Sequence, residues 1–254
     1  MTSQTNSPPK RAIILFTFSP LREARVKPIA GASFGERVAM YRELVEHALQ
    51  VTEATPYPVL IATDDVAQRF SAKASARMFP QRGANFNERL TAALLDAFGC
   101  GYDEVVIIGN DCAGLTASDL DEAFGLLQRH EVALGSAADG GVYLIAARRS
   151  ALRNLTAAFA RCRWQTAHVQ EDLLAQAALL GIDTALMATH TDLDTAADVL
   201  REAASYRELR VLVALARRLY ALIVLQNFPR FFPFLVSRRF MRLRYQRPPP
   251  ALAI

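Results

Sequence analysis

Residues 107–115 read IIGNDCAGL, an apolar run that ends abruptly in Gly109, Asn110 and Asp111. A carboxylate in a glycine-flanked turn after a buried strand suits a hard divalent cation. Mg2+ or Mn2+ takes oxygen ligands, commonly one or two carboxylates with substrate phosphates completing the shell. Asp111 is the first candidate ligand; its plainer role is to cap the helix that follows. Residues 191–199 (TDLDTAADV) place Asp192 and Asp194 before another helix. Asp194 is the second candidate ligand, with capping by Asp194 or Thr195 as the competing role. Residues 135–145 (GSAADGGVYLI) set Asp139 before Gly140 and Gly141. The glycines permit close approach of backbone to ligand, and Asp-Gly is equally a strong hairpin signal.

The cationic candidates lie elsewhere. Residues 19–31 (SPLREARVKPIAG) read as a basic loop after the first strand, where Arg22, Arg25 and Lys27 suit a diphosphate. Neither the P-loop nor the Rossmann glycine pattern is present there. In residues 80–90 (PQRGANFNERL), Gln81, Gly83 and Arg89 surround a helix start whose free N–H groups face outward. Trp164, the one tryptophan, offers a face for stacking on a sugar or base, or simply packs. His47, His130, His168 and His190 accompany no nucleophile signature, so no catalytic triad is expected.

The elements that must position these residues follow from periodicity. Continuous apolar runs at 11–18, 57–62, 103–108, 131–134, 142–147 and 182–187 predict buried strands, with a short one near Met78 and Phe79. Helical spacing covers 34–51, 85–98, 116–129, 151–159, 167–180 and 195–204, with Asn85 as an N-cap and Thr116–Asp119 in capping-box spacing. Strands alternating with helices imply an α/β fold, a mostly parallel sheet covered on both faces. Ligands in such sheets sit beyond the carboxyl ends of the strands, which is where the candidate residues fall.

At 254 residues and 52% hydrophobic, the chain can bury one sizeable core. Cys100, Cys112 and Cys162 show no paired spacing, which argues against a zinc site or disulfide framework and fits a reducing compartment. The polar start, MTSQTNSPPK, shows no secretory pattern, so a cytoplasmic location is expected. Charge is uneven: residues 205–254 hold ten arginines against Glu208 alone, a balance of +9, which leaves −5 on the rest. An acidic body argues against a nucleic-acid-binding main domain.

Taken together, QRGANFNERL, IIGNDCAGL, GSAADGGVYLI, CRWQT and TDLDTAADV resemble, in order and spacing, the radical-SAM/selenodomain-associated transferases. These are glycosyltransferase-A-like proteins of the nucleotide-diphospho-sugar transferase superfamily. The resemblance covers about residues 11–204. It implies a three-layer α/β/α sandwich and a nucleotide bound after the first strand, with contributions from Arg22, Arg25, Lys27, Gln81, Gly83 and Arg89. It also implies Mg2+ or Mn2+ on Asp111 with Asp194 nearby, and an acceptor side at Asp139, Gly140, Gly141 and Trp164. Asp139 would then act as the base that takes a proton from the acceptor hydroxyl. The family's first loop looks like P-G-R-V-K-T-R-L; Lys27 matches, whereas Pro28 and Ile29 replace the Thr-Arg pair.

The expected organisation is a disordered segment 1–10, a transferase-like domain 11–204 and a basic, aromatic-rich helical extension 205–254. That extension admits three readings: docking on an anionic membrane surface, a helix packed on the acidic body, or a homodimer contact. The expected activity is transfer of a sugar from a nucleoside-diphosphate sugar to a small-molecule acceptor. The alternatives are nucleotidyl transfer from a triphosphate and a non-catalytic docking protein on a decayed transferase fold.

Overall fold

The computed structural model describes residues 8–68, 70, 76–203, 205–206 and 208–227, with side chains to 223. Its strands are β1 (Arg11–Thr17), β2 (Val59–Thr63), β3 (Arg77–Pro80), β4 (Glu104–Ile108), β5 (Val132–Ser136), β6 (Val142–Arg148) and β7 (Thr184–Leu186). Its helices are α1 (Pro20–Val26), α2 (Phe34–Glu53), α3 (Phe86–Gly99), α4 (Ala117–Leu126), α5 (Leu152–Phe159), α6 (Val169–Leu180), α7 (Ala196–Glu202) and α8 (Arg210–Asn227).

The strands form one sheet in the order β3-β2-β1-β4-β6-β5-β7. All run parallel except β6, which is antiparallel to both β4 and β5. Both faces are covered, which is why the strand sequences are continuous rather than alternating apolar runs. Ala12, Ile14 and Phe16 of β1 point into one core with Leu94 of α3, Phe159 of α5 and Leu173 of α6. Ile13 and Leu15 point into the other with Leu49 of α2 and Phe124 of α4. Each such Ile or Leu, fully buried, contributes about 1.5–3 kcal/mol.

A third core lies beside the sheet. Ala24 of α1 and Met40, Tyr41 and Leu44 of α2 meet Leu212, Leu215 and Leu219 of α8. The Glu43 carboxylate accepts hydrogen bonds from the first backbone amides of α8, Val211 and Leu212, each at 2.9 Å. Arg218 of α8 pairs with Glu36 and donates to the Gly31 carbonyl. Of the three readings of the extension, the described part thus shows a helix packed on the body. Its arginines from Arg230 onward lie outside the described residues, as does most of the 1–10 segment. Among the described residues no helix is long and apolar enough to cross a membrane.

One expected element is corrected. Residues 19–31 are not a loop throughout, because Pro20–Val26 is helical. Pro20 stands at the first helical position, where its fixed φ and missing donor are harmless. The Arg22 and Glu23 amides both bond to the Ser19 carbonyl. The helix is short and carries two arginines, with Lys27 at its end, so its helical signal is weak in the sequence.

Candidate active site

Two expected caps are settled by the residues next to the candidates. Thr116 caps α4 in a reciprocal box with Asp119, and Thr195 caps α7 in the same way with Asp198. Asp111 and Asp194 are therefore free of capping duty and turn elsewhere. Backbone pairing then brings their segments together. Cys112 bridges Asp192, and the Leu193 amide donates to the Asp111 carbonyl at 2.9 Å. The reversed β6 begins at the edge where β4 ends, with Ile108 in register with Leu144. The Asp139 turn is thereby set beside the Asp111 turn.

The result is a cavity of about 480 Å3 at the carboxyl edge of the sheet, within the range of small-ligand sites. One wall is apolar and aromatic: Phe16, Phe18, Phe86 and Trp164. Phe86 lies 5.3 Å from Trp164 between ring centroids, and the Trp164 indole N–H is spent on the Phe159 carbonyl at 2.8 Å. The ring of Trp164 is thus fixed with its polar edge satisfied inward. The lining also carries Glu23, Asp111, Asp139, Asp192 and Asp194, with Lys27 as the one lysine or arginine among the described lining residues.

Lys27 ties the acids together. Its Nζ lies 2.6 Å from Asp111 Oδ2, 2.9 Å from Asp194 Oδ1 and 3.9 Å from Glu23 Oε2. Burial opposes the charge on Lys27, but Asp111, Glu23 and Asp194 outweigh it and push its pKa up. Burial likewise opposes ionisation of Asp111, and the Lys27 ammonium overcomes it and holds the carboxyl below its usual range. The neighbours lack so close a partner. Burial, with Asp111, Asp139 and Asp194 adding repulsion, pushes Asp192 up. Burial raises Asp194 against the pull of Lys27. Burial raises Glu23 to about 7. Asp192 Oδ1 is buried with no hydrogen-bond partner among the described residues. A buried oxygen without a partner favours the neutral acid over the carboxylate, in line with the upward push on Asp192.

The remaining candidates divide. Asp139 lines the cavity and keeps the expected hairpin turn, its Oδ1 accepting from the Gly141 amide at 2.8 Å. Gly140 has φ +93°, and a Cβ there would lie 2.1 Å from the Ala167 carbonyl oxygen. The bare backbone thus meets the 164–167 segment of the chain itself. Arg22, Gln81, Gly83 and Arg89 are not among the residues lining the cavity. Arg22 stacks on Phe18 at 3.9 Å and pairs with Asp64. Gln81 donates to the Thr17 and Ala62 carbonyls and clips the ends of β1 and β2. Arg89 donates to the Gly83 carbonyl, where Gly83 takes φ +137°. Arg25 is exposed outside the cavity. Glu23, Phe16, Phe18 and Phe86 were not foreseen as site residues; with α1 read as a loop, nothing in the sequence marked Glu23 as buried.

The seven-stranded sheet with its reversed β6 matches the fold of nucleotide-diphospho-sugar transferase-like structures. Residues 44–166 match the model of a family described as an uncharacterized protein conserved in bacteria (DUF2064). Among solved structures, the chain is similar to a candidate nucleotide-diphospho-sugar transferase from Desulfovibrio desulfuricans G20. The two share 25% identity at a TM-score of 0.71, covering 85% of this chain and 97% of that one. A cytidylyltransferase from Leptospira borgpetersenii aligns at 15% identity and a TM-score of 0.51 over 87% and 96% of the two chains. A Mycobacterium tuberculosis protein in complex with manganese aligns at 13% and 0.52 over 77% and 99%. The likeness to the last two is one of fold. No curated protein matches the chain.

Proposed function

We propose that the protein is a transferase acting on a nucleotide-linked donor, most specifically one that moves a sugar from a nucleoside diphosphate to a small-molecule acceptor. The single observation that carries this reading is the cavity's charge pattern. Five carboxylates and Lys27 line a carboxyl-edge cavity that also offers an aromatic wall. A bare diphosphate meets only the engaged Lys27 among the lysines and arginines of the described lining, whereas a diphosphate arriving with a divalent cation brings a charge that Asp111 and Asp194 can hold. Similarity to the Desulfovibrio protein supports the same class.

Among the described residues no three His, Cys, Asp or Glu side chains are disposed to hold a metal by themselves. The donor chemistry nevertheless fits Mg2+ or Mn2+ in the two-carboxylate mode. Asp111 and Asp194 already converge on one cation, and Asp192 keeps a spare buried oxygen. Held there, a divalent ion would neutralise charge on a leaving diphosphate. The chain's own side chains do the rest. Lys27 supplies a mobile ammonium beside the phosphates. Phe16, Phe86 and Trp164, their rings tilted against one another, give an apolar wall that packs on a ring and excludes water. Asp139, whose Oδ2 is not engaged by the turn, takes the proton from the acceptor hydroxyl.

Nucleotidyl transfer from a triphosphate is the competing reaction. A triphosphate calls for more cationic contacts, and Arg22 and Arg89 are engaged elsewhere. Product analysis tests the reading: incubation with nucleoside-diphosphate sugars and Mn2+ should release free nucleoside diphosphate. Release of pyrophosphate from a nucleoside triphosphate, with no turnover of any diphosphate sugar, would replace sugar transfer by nucleotidyl transfer.

A further inference from the structure

We propose that Lys27 is a built-in counter-cation that holds Asp111 and Asp194 until a metal–diphosphate complex takes its place, so that divalent metal and diphosphate bind as one ligand and neither binds well alone. The inference rests on the proposed donor chemistry and deepens it.

The geometry is specific. Asp111 and Asp194 are the two carboxyl groups proposed above to hold a divalent ion, and Lys27 Nζ contacts both, at 2.6 Å from Asp111 Oδ2 and 2.9 Å from Asp194 Oδ1. A divalent ion that takes them competes with the ammonium, because two cations at so short a distance repel each other. Metal alone therefore competes with an ion pair that is already made and that moves with the protein. Diphosphate alone meets acidic side chains and, among the described lining residues, one ammonium that is already engaged. When metal and diphosphate arrive together, the metal takes the carboxylates and the displaced ammonium finds a phosphate within reach. Lys27 is suited to the exchange. It sits at the C-cap of α1, past the last helical residue, and its four-carbon stem reorients without moving Glu23 or Ala24, which are buried one turn back. Asp192 Oδ1, without a hydrogen-bond partner among the described residues, is one more oxygen that the incoming cation satisfies.

The test is a Mn2+ titration of the full chain, followed by the paramagnetic resonance of free Mn2+, alone and with UDP, GDP or CDP. Wild type, Lys27→Met and Lys27→Arg are compared. Methionine keeps most of the stem without the charge; arginine keeps the charge. In wild type, the diphosphate that binds should tighten Mn2+ by about 10-fold, within the usual span of coupling between sites. Lys27→Met should bind Mn2+ alone about 10-fold more tightly than wild type and lose most of that coupling, whereas Lys27→Arg should remain weak for Mn2+ alone. Mn2+ affinity no tighter in Lys27→Met than in wild type overturns the proposal. If Lys27→Met fails to fold, equal Mn2+ affinity of wild type with and without a diphosphate that binds overturns it instead. Tighter Mn2+ binding by Lys27→Met in a protein that takes no diphosphate upholds the counter-cation and sinks the transferase reading. Metal-dependent diphosphate binding with unchanged Mn2+ affinity in Lys27→Met does the reverse.

Discussion

Lys27 Nζ stands 2.6 Å from Asp111 Oδ2, joining the end of the first helix to the turn after the fourth strand, 84 residues away in sequence. That contact brings together the cation and the carboxylate on which the whole reading turns. It also explains why the acids around it differ: Asp111, closest to the ammonium, is held ionised, while burial pushes Glu23, Asp192 and Asp194 up.

Glu23 gives a pH signature. Its folded pKa of about 7 lies above the ordinary 4.5, with burial as the leading cause. The protonated form is the one the fold favours, so its contribution is fully present below pH 4.5 and is lost as pH rises through 7. Glu23→Gln should therefore be more stable than wild type at pH 8, by up to about 3 kcal/mol, with the gap closing toward pH 4.5. Urea denaturation at several pH values checks this; a gap that does not change with pH contradicts it.

Gly140 and Gly101 have nearly the same backbone, φ +93° and +92°. A Cβ at Gly140 meets the Ala167 carbonyl oxygen at 2.1 Å, whereas at Gly101 it meets nothing within 4 Å. Gly101→Ala should cost about 1 kcal/mol, the conformational term alone. Gly140→Ala should cost more than about 2 kcal/mol and shift the fluorescence of Trp164, which lies on the segment pushed away. Equal costs in the two variants would show that the close approach does not constrain the turn.

The anchoring of α8 depends on Glu43, whose carboxylate receives both the Val211 and Leu212 amides. Glu43→Ala leaves those amides uncapped and should destabilise α8 by about 1–2 kcal/mol. Hydrogen exchange in residues 210–223 should then quicken several-fold while β1 and β4 stay protected. Unchanged exchange in α8 would mean that its apolar face alone fixes it.

The sheet was legible in the sequence because strands buried on both faces leave unbroken apolar runs, as in β1 and β4. Helix starts were legible where a side chain makes the cap, as at Asn85 and Thr116. The α1 turn was not, since seven residues with Arg22 and Arg25 look like a basic loop. For the site, Asp111, Asp139, Asp194 and Trp164 all reach the cavity. Arg22, Gln81 and Arg89 do not line it, because each is engaged by a neighbour that only the folded chain supplies: Asp64, the carbonyls of Thr17 and Ala62, and the carbonyl of Gly83. The engagement of Lys27 by two carboxylates was equally beyond the sequence. It depends on β1 pairing with β4 and on the Cys112–Asp192 bridge, both products of tertiary pairing.

The most direct test of the central claim is a calorimetric titration of the protein and of Asp111→Asn with UDP, GDP, CDP and their sugars, with and without Mn2+. One nucleoside diphosphate should bind in the presence of Mn2+, with affinity reduced about 100-fold or more in a well-folded Asp111→Asn. Binding that is as tight in the variant as in wild type, or that ignores Mn2+, would contradict the assignment of this cavity as a metal-dependent nucleotide site.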